Sequence, residues 1–263
     1  MHLTPAWDAR RLLGLRGGIK ACVFNLDGVL VGTAAIHAAA WAETFGEFLI
    51  ARAERARGQF TPAPFDPTTD YPAHIHGRPR LEGVRTFLAS RGISLPEGLP
   101  DDAPEAETVH GLANRKKAAF LRRVDAQGVK AFEGARTYLE LAREAGVRSA
   151  VLSASANTAT ILERAGLTTL VDVCVDGNTI AAEQLHARPA PDMVLEACRQ
   201  LGVEPGEAAV FETSAAGVAA ARAARCELVL GVDRAGRWKA LLDEGATSVV
   251  SGVDEILERT LGV

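Results

Sequence analysis

Six short apolar runs are spread unevenly along this chain, and their spacing limits the folds open to it. Ala21–Phe24 stands alone near the N-terminus, whereas Ser149–Leu152, Val171–Val175, Ala208–Phe211, Glu227–Val232 and Thr247–Val250 follow one another in the second half. Between the later runs lie helix-like stretches, Arg136–Ala145, Thr158–Ala165, Asp192–Leu201 and Ala215–Ala224. Several of these finish near Gly146, Gly166 and Gly202, where glycine accepts the left-handed backbone that ends a helix. Short buried strands alternating with helices predict a parallel sheet covered on both faces, a doubly wound, Rossmann-like α/β core.

The interval from about residue 35 to 130 breaks the alternation. It holds helix-like segments at Ile36–Arg57, Arg80–Arg91 and Glu107–Asp125, separated by the Pro-rich stretches Thr61–Pro72 and Pro96–Pro104. The pattern predicts an inserted α-helical cap over 35–130, with residues 1–34 and 131–263 forming the core. Cap loops are expected over the C-terminal edge of the sheet, where open α/β folds bind ligands, and the Pro-rich stretches are expected to bound mobile loops. The charged segment Ala51–Gly58 reads as a solvated helix face.

Composition excludes some classes. With 29 basic against 33 acidic residues and a formal charge of -4, no general attraction to nucleic acid or to an anionic membrane is expected. No run is long and apolar enough to span a bilayer, and the N-terminus lacks the ordered regions of a secretory signal, so a cytoplasmic location is expected. Cys22, Cys174, Cys198 and Cys226 are widely spaced and sit in apolar contexts; they read as buried free thiols.

The chemistry concentrates after the first strand, in Asn25-Leu26-Asp27-Gly28-Val29-Leu30. Two carboxylates spaced one residue apart at a strand's C-terminal tip, followed by Gly, would supply a nucleophile and an acid/base for phosphoryl transfer. Here the first position is an amide. A carboxamide is uncharged, a poor nucleophile and a weaker ligand than carboxylate for a hard cation.

Four segments in order resemble the motifs of the haloacid dehalogenase superfamily, in its β-phosphoglucomutase-like branch with a helical cap. They are Asn25–Thr33 followed by His37 and Trp41, Ser153-Ala154-Ser155-Ala156-Asn157, Arg188-Pro189-Ala190-Pro191-Asp192, and Phe211-Glu212-Thr213-Ser214-Ala215-Ala216-Gly217-Val218. The chain is also similar to the noncatalytic domain of this type found beside trehalose-phosphate phosphatases. The resemblance implies an aspartate nucleophile and Mg ligand at the position of Asn25, and a general acid/base at Asp27. It implies phosphate binding by Ser153, Ala154 and the residue at 188, normally lysine, and a metal-binding aspartate at the position of Thr213 beside Glu212. Gly32 stands where a further aspartate is common. Four departures at one small site read as a natural loss of chemistry, with Asn25, Asp27, Glu212 and Thr213 as a degenerate metal site.

Loss of carboxylates at 25, 32 and 213 leaves Asp27 and Glu212 opposite Arg188, so an anion would meet less repulsion without metal. The expectation is therefore a catalytically deficient protein that retains binding of a phosphorylated sugar or phosphate, with a protein partner possible in a regulatory or scaffolding role. No cofactor is expected, and Mg only weakly if at all. The alternative is an active Mg-dependent sugar-phosphate phosphatase or mutase. Simpler roles stand beside these: Asp27 as a turn former, Ser153 or Asn157 as a helix cap, Thr213 and Ser214 as the N-cap of the next helix, and Arg188 as a solvated cation. In the cap, the segment containing His76, Arg78, Arg80 and Arg85 resembles the loop that reads the sugar phosphate. Asp70, His74 and His76 lie in a Pro-containing loop that gives no defined metal geometry. His37 is expected to be a buried structural histidine.

Overall fold

The computed structural model describes residues 6–57 and 63–261. It separates into two compact units, Met1–Gly32 with Val129–Val263, and Thr33–Gly128. The first residues of the Pro-rich stretch, Thr61 and Pro62, and Gly58 at the end of the charged segment lie outside the described residues.

The first unit is built on six parallel strands: β1 Ala21–Asn25, β2 Arg148–Leu152, β3 Val173–Val175, β4 Ala208–Glu212, β5 Leu228–Val232 and β6 Ser248–Val250. Their spatial order is β3-β2-β1-β4-β5-β6, and all pairings are parallel. The order reverses between β1 and β4, and a crevice opens at such a switch point beyond the strands' C-terminal ends. In β1, β4 and β5 every residue is buried, which is why these read as unbroken apolar runs; the edge strands β3 and β6 are only partly covered.

Alternate side chains of β1 enter different layers. Phe24 stacks on Phe211 at 4.7 Å between ring centroids and meets Tyr138 edge-on at 5.8 Å, and the Tyr138 hydroxyl donates to the Leu13 carbonyl at 2.8 Å. Ala21 and Val23 belong to the opposite layer, packed with Ala150, Leu152, Val210 and, from the covering helices, Met193, Val194, Ala197 and Val218. Both faces are thus covered, as a doubly wound sheet requires. The chain leaves this unit beside the point where it returns: Val31 bridges Ala131 and Phe132 N–H donates to the Leu30 carbonyl at 2.9 Å.

The inserted unit is helical. Helices Ala34–Arg55, Arg80–Ser90 and Val109–Gln127 surround a core of Trp41, Phe45, Phe48, Phe87 and Leu112. His37 is buried and stacks on Phe120 at 4.1 Å between centroids. The described part of the Ala51–Gly58 segment is mostly exposed.

Sequence periodicity overlooked several short elements, among them the helices Ala6–Leu12, Gly177–Ala182, Trp238–Asp243 and Val253–Leu261 and the π turn Tyr71–Ile75. The first three helices span two turns or less, too little to show a stripe, whereas Val253–Leu261 carries one in the buried Val253, Ile256 and Leu257 that went unread. The Pro96–Pro104 stretch, expected to bound a mobile loop, is hydrogen-bonded to the helix that follows it. Asn114 Nδ2 donates to the carbonyls of Pro100 and Asp102 at 3.0 and 2.9 Å, and Arg115 Nε to that of Pro104 at 2.7 Å. Polar side chains of the Val109–Gln127 helix therefore hold this segment in place.

Candidate functional site

The C-terminal ends of β1 and β4 place Asn25 and Glu212 on adjacent strands across the switch point. After Asn25 the chain turns tightly: Gly28 adopts φ +88°, its N–H donates to the Val31 carbonyl at 2.9 Å, and Val31 N–H donates to that of Leu26 at 3.1 Å. Glycine is required at 28 for a second reason, because a Cβ there would lie 2.9 Å from Thr213 Cγ2. The loops after β1 and β4 can therefore touch.

Asn25 bridges them. Its Nδ2 donates to the Asp27 carbonyl and to Thr213 Oγ1, both at 2.9 Å, and Arg188 donates to its Oδ1 at 3.4 Å. These partners fix the amide's orientation, since a flipped Asn25 would set its oxygen against the Asp27 carbonyl and its NH2 against a guanidinium. An aspartate in the same pose would turn acceptors toward acceptors, the arrangement that a cation between them resolves.

Beneath this bridge lies a buried ion pair. Arg188 reaches Glu212 at 2.8 Å, with the two side chains only 7% and 0% exposed. Arg188 is therefore not the solvated cation its Pro-rich loop implied. Glu212 also accepts from Thr213 N–H at 3.1 Å. Burial pushes the Glu212 carboxyl above its ordinary range, and the Arg188 charge with the Thr213 and Ser214 amides pulls the other way. The carboxylate fits only because residue 217 is glycine: a Cβ there would stand 2.2 Å from Glu212 Cδ. Ser214 caps the following helix, Ala215–Ala223, by accepting from Gly217 N–H at 3.0 Å. The capping role proposed for Thr213 and Ser214 thus falls to Ser214, while Thr213 faces Asn25.

The β2 tip carries the next segment. Ser153 is buried, and its Oγ accepts from Ser155 N–H at 3.1 Å; an accepting hydroxyl keeps its hydrogen to donate. Asn157 precedes the helix Thr158–Arg164 without a side-chain capping bond. Gly177 permits close approach from below, since a Cβ would meet Ala156 N at 2.8 Å and the Ala154 carbonyl at 2.9 Å.

Two contributors escaped the sequence reading. Arg234, just past β5, donates from Nε to the Gly28 carbonyl at 3.0 Å and lies 3.8 Å over the Phe132 ring. Phe132 in turn fills the room beside Gly32, where an added Cβ would come within 3.2 Å of its ring. The available signal was the location of Arg234 immediately after a strand's C-terminal end.

In the helical unit two of the predicted basic residues are paired with carboxylates of the same unit. Arg78 pairs with Glu82 and Arg85 with Glu97, while burial lowers the pKa of Arg80, whose Nε has no hydrogen-bond partner. His76 N–H donates to the Tyr71 carbonyl at 2.8 Å. Asp70 is spent on Arg91 at 2.5 Å, and His74 Nε2 stands 3.9 Å from it. Among the described residues, no group of three or more His, Cys, Asp and Glu is placed to hold a metal ion. The four cysteines are free thiols.

A switch-point site on a doubly wound sheet, with these four segments at its edge, defines the class of protein. The model for "haloacid dehalogenase-like hydrolase" matches residues 19–225, and the chain belongs to that family, within its β-phosphoglucomutase-like branch. It is 45% identical over 250 residues to a Mycobacterium bovis protein described as β-phosphoglucomutase, covering 94% of this chain and 95% of that one. Among solved structures it is similar to a putative β-phosphoglucomutase from Thermotoga maritima, at TM-score 0.64 and 25% identity, covering 93% of this chain and 100% of the other. A β-phosphoglucomutase from Clostridium difficile has the same fold, at TM-score 0.71 and 21% identity over 93% and 100% of the two chains. No helix among the described residues is long and apolar enough to cross a membrane.

The family implies a divalent cation at this edge, and the donors present do not suit one. A hard cation needs oxygen ligands, preferably anionic. Here an NH2 donor points at the two oxygens that would flank it, position 213 offers a neutral hydroxyl, and the Glu212 carboxylate is turned to Arg188.

Proposed function

We propose that this chain is a catalytically deficient member of its family that binds a phosphorylated sugar or phosphate without turning it over, in a regulatory or scaffolding role beside an active partner. The observation that carries this is the Asn25 amide, hydrogen-bonded to Asp27, Thr213 and Arg188 at the tip of β1. An amide cannot form an aspartyl-phosphate, because its nitrogen lone pair is delocalised and its oxygen bears no full charge. Asp27 can still exchange a proton, but with no nucleophile beside it that proton has no reaction to serve.

Binding is supported by groups that need no metal. Ser153 keeps a hydrogen to donate, and three carboxylates common in the family are absent at 25, 32 and 213. The phosphorylated-sugar class comes from the relatives named β-phosphoglucomutase. The reading carries with it a cytoplasmic location and no requirement for a cofactor, nucleic acid or membrane.

The retained Asp27 and the 45% identity to a protein described as β-phosphoglucomutase favour a second reading, an active enzyme using water activated by Asp27. A phosphatase and mutase screen separates the two. The native chain is compared with the triple variant Asn25→Asp, Arg188→Lys, Thr213→Asp. Activity confined to the triple variant is expected; equal activity in both, abolished by Asp27→Asn, would establish the second reading.

A further inference from the structure

We infer that the guanidinium of Arg188 and the amide of Asn25 together take the electrostatic place of the divalent cation, so that this edge carries its counter-charge within the chain. This deepens the function proposed above and rests on it for the identity of the ligand, but it concerns a separate property, the closure of the site to metal.

Three observations converge. Asn25 Nδ2 lies at 2.9 Å from both the Asp27 carbonyl and Thr213 Oγ1, a bridging position that a cation would otherwise fill with opposite demands on its neighbours. Arg188 supplies the formal positive charge, reaching Glu212 at 2.8 Å and Asn25 Oδ1 at 3.4 Å from one terminal nitrogen. Gly217 lets the Glu212 carboxylate lie under the start of its helix, turned toward Arg188.

The substitutions at 25, 188 and 213 are therefore one coupled change. Removing negative charge at 25 and 213 disposes of the reason for a metal, and the arginine neutralises the carboxylate that remains. Restoring only one aspartate would set a carboxylate against Arg188 and form a second internal pair. Restoring both would supply more anionic charge than one guanidinium can neutralise.

Manganese stands in for magnesium as a spectroscopic probe. The full chain is titrated with Mn2+ while the paramagnetic resonance signal of the free aquo-ion is followed, and the thermal midpoint is measured in EDTA and in excess Mg2+. The native chain is expected to leave the Mn2+ signal unchanged at millimolar protein, with the same midpoint in both buffers. The Asn25→Asp/Thr213→Asp variant is expected to bind Mn2+ on the order of a hundredfold more tightly and to gain thermal stability with Mg2+. Tight Mn2+ binding by the native chain overturns the inference without any variant having to fold. A folded double variant that ignores Mn2+ overturns it as well, because residues 25 and 213 would then not be what shuts the metal out. The two proposals fail separately: metal binding without turnover refutes this inference alone, and turnover without metal refutes the functional reading alone.

Discussion

The tips of β1 and β4 differ from the tip of β2 in how their polar groups are used. At β1 and β4 the side chains meet one another: Asn25 with Thr213, Arg188 with Asn25, and Arg188 with Glu212. At β2 the bonds are local and mostly between side chain and main chain: Ser155 N–H to Ser153 Oγ, Asn157 N–H to Ser155 Oγ, and Thr158 Oγ1 to the Ser155 carbonyl. One region has been rewired through charge, whereas the other keeps a loop set by backbone geometry. On the proposed reading, chemistry that depends on a few carboxylates goes with a few substitutions, while a loop set by local main-chain bonds is kept.

Arg188→Met tests that contrast most severely. It strands Glu212 with no counter-charge in a fully buried place, and a loss of about 3–5 kcal/mol in denaturant unfolding is expected. Since the pair itself need not be net stabilising, the Arg188→Met/Glu212→Gln double variant should recover most of the loss. A single variant as stable as the native chain would mean that the pair is solvated and that the β1 and β4 tips are no more closed than the β2 tip.

Gly217→Ala comes next. Its methyl would meet the Glu212 carboxylate at 2.2 Å, so a cost of about 1–3 kcal/mol is expected, and the same substitution should cost much less when made in a Glu212→Ala background, where the loss of the Arg188 partner is common to both chains compared. Ser214→Ala removes a capping acceptor and should cost about 1 kcal/mol in the same assay without altering ligand binding at the β2 tip.

The smallest effect concerns pH. Because the Glu212 carboxyl is raised above its ordinary value of 4.5, the folded chain holds that proton more firmly than the unfolded chain does. Its contribution to stability is fully present below the unfolded value and is lost as pH rises through the raised folded one. The Glu212→Gln variant should lack this part of the profile; an unchanged profile would show that Arg188 cancels the effect of burial.

How much of this was legible before the fold was known depends on the distance over which each residue acts. Strand tips such as Phe24-Asn25 and Phe211-Glu212 were readable to within a residue, because a buried parallel strand is an unbroken apolar run. The departures at 25, 32, 188 and 213 were visible by motif order. Burial of Arg188 was not, since its neighbours suggest an exposed loop and its partner Glu212 lies on a different strand. Gly217 resembled any small helical residue until the Glu212 side chain was seen beneath it. The inserted unit gave up its long helices for the same reason of periodicity, while the Pro96–Pro104 segment hid the side-chain bonds that hold it, and Arg78 and Arg85 hid their pairing with Glu82 and Glu97.

Calorimetric titration of the native chain with inorganic phosphate, run once in EDTA and once in excess Mg2+, probes the loss of chemistry and the retention of binding together. The expected result is the same heat and affinity in both buffers, with no phosphate ester consumed when one is supplied. Phosphate binding that appears only with Mg2+, or a phosphoryl analogue trapped on residue 25, would contradict it.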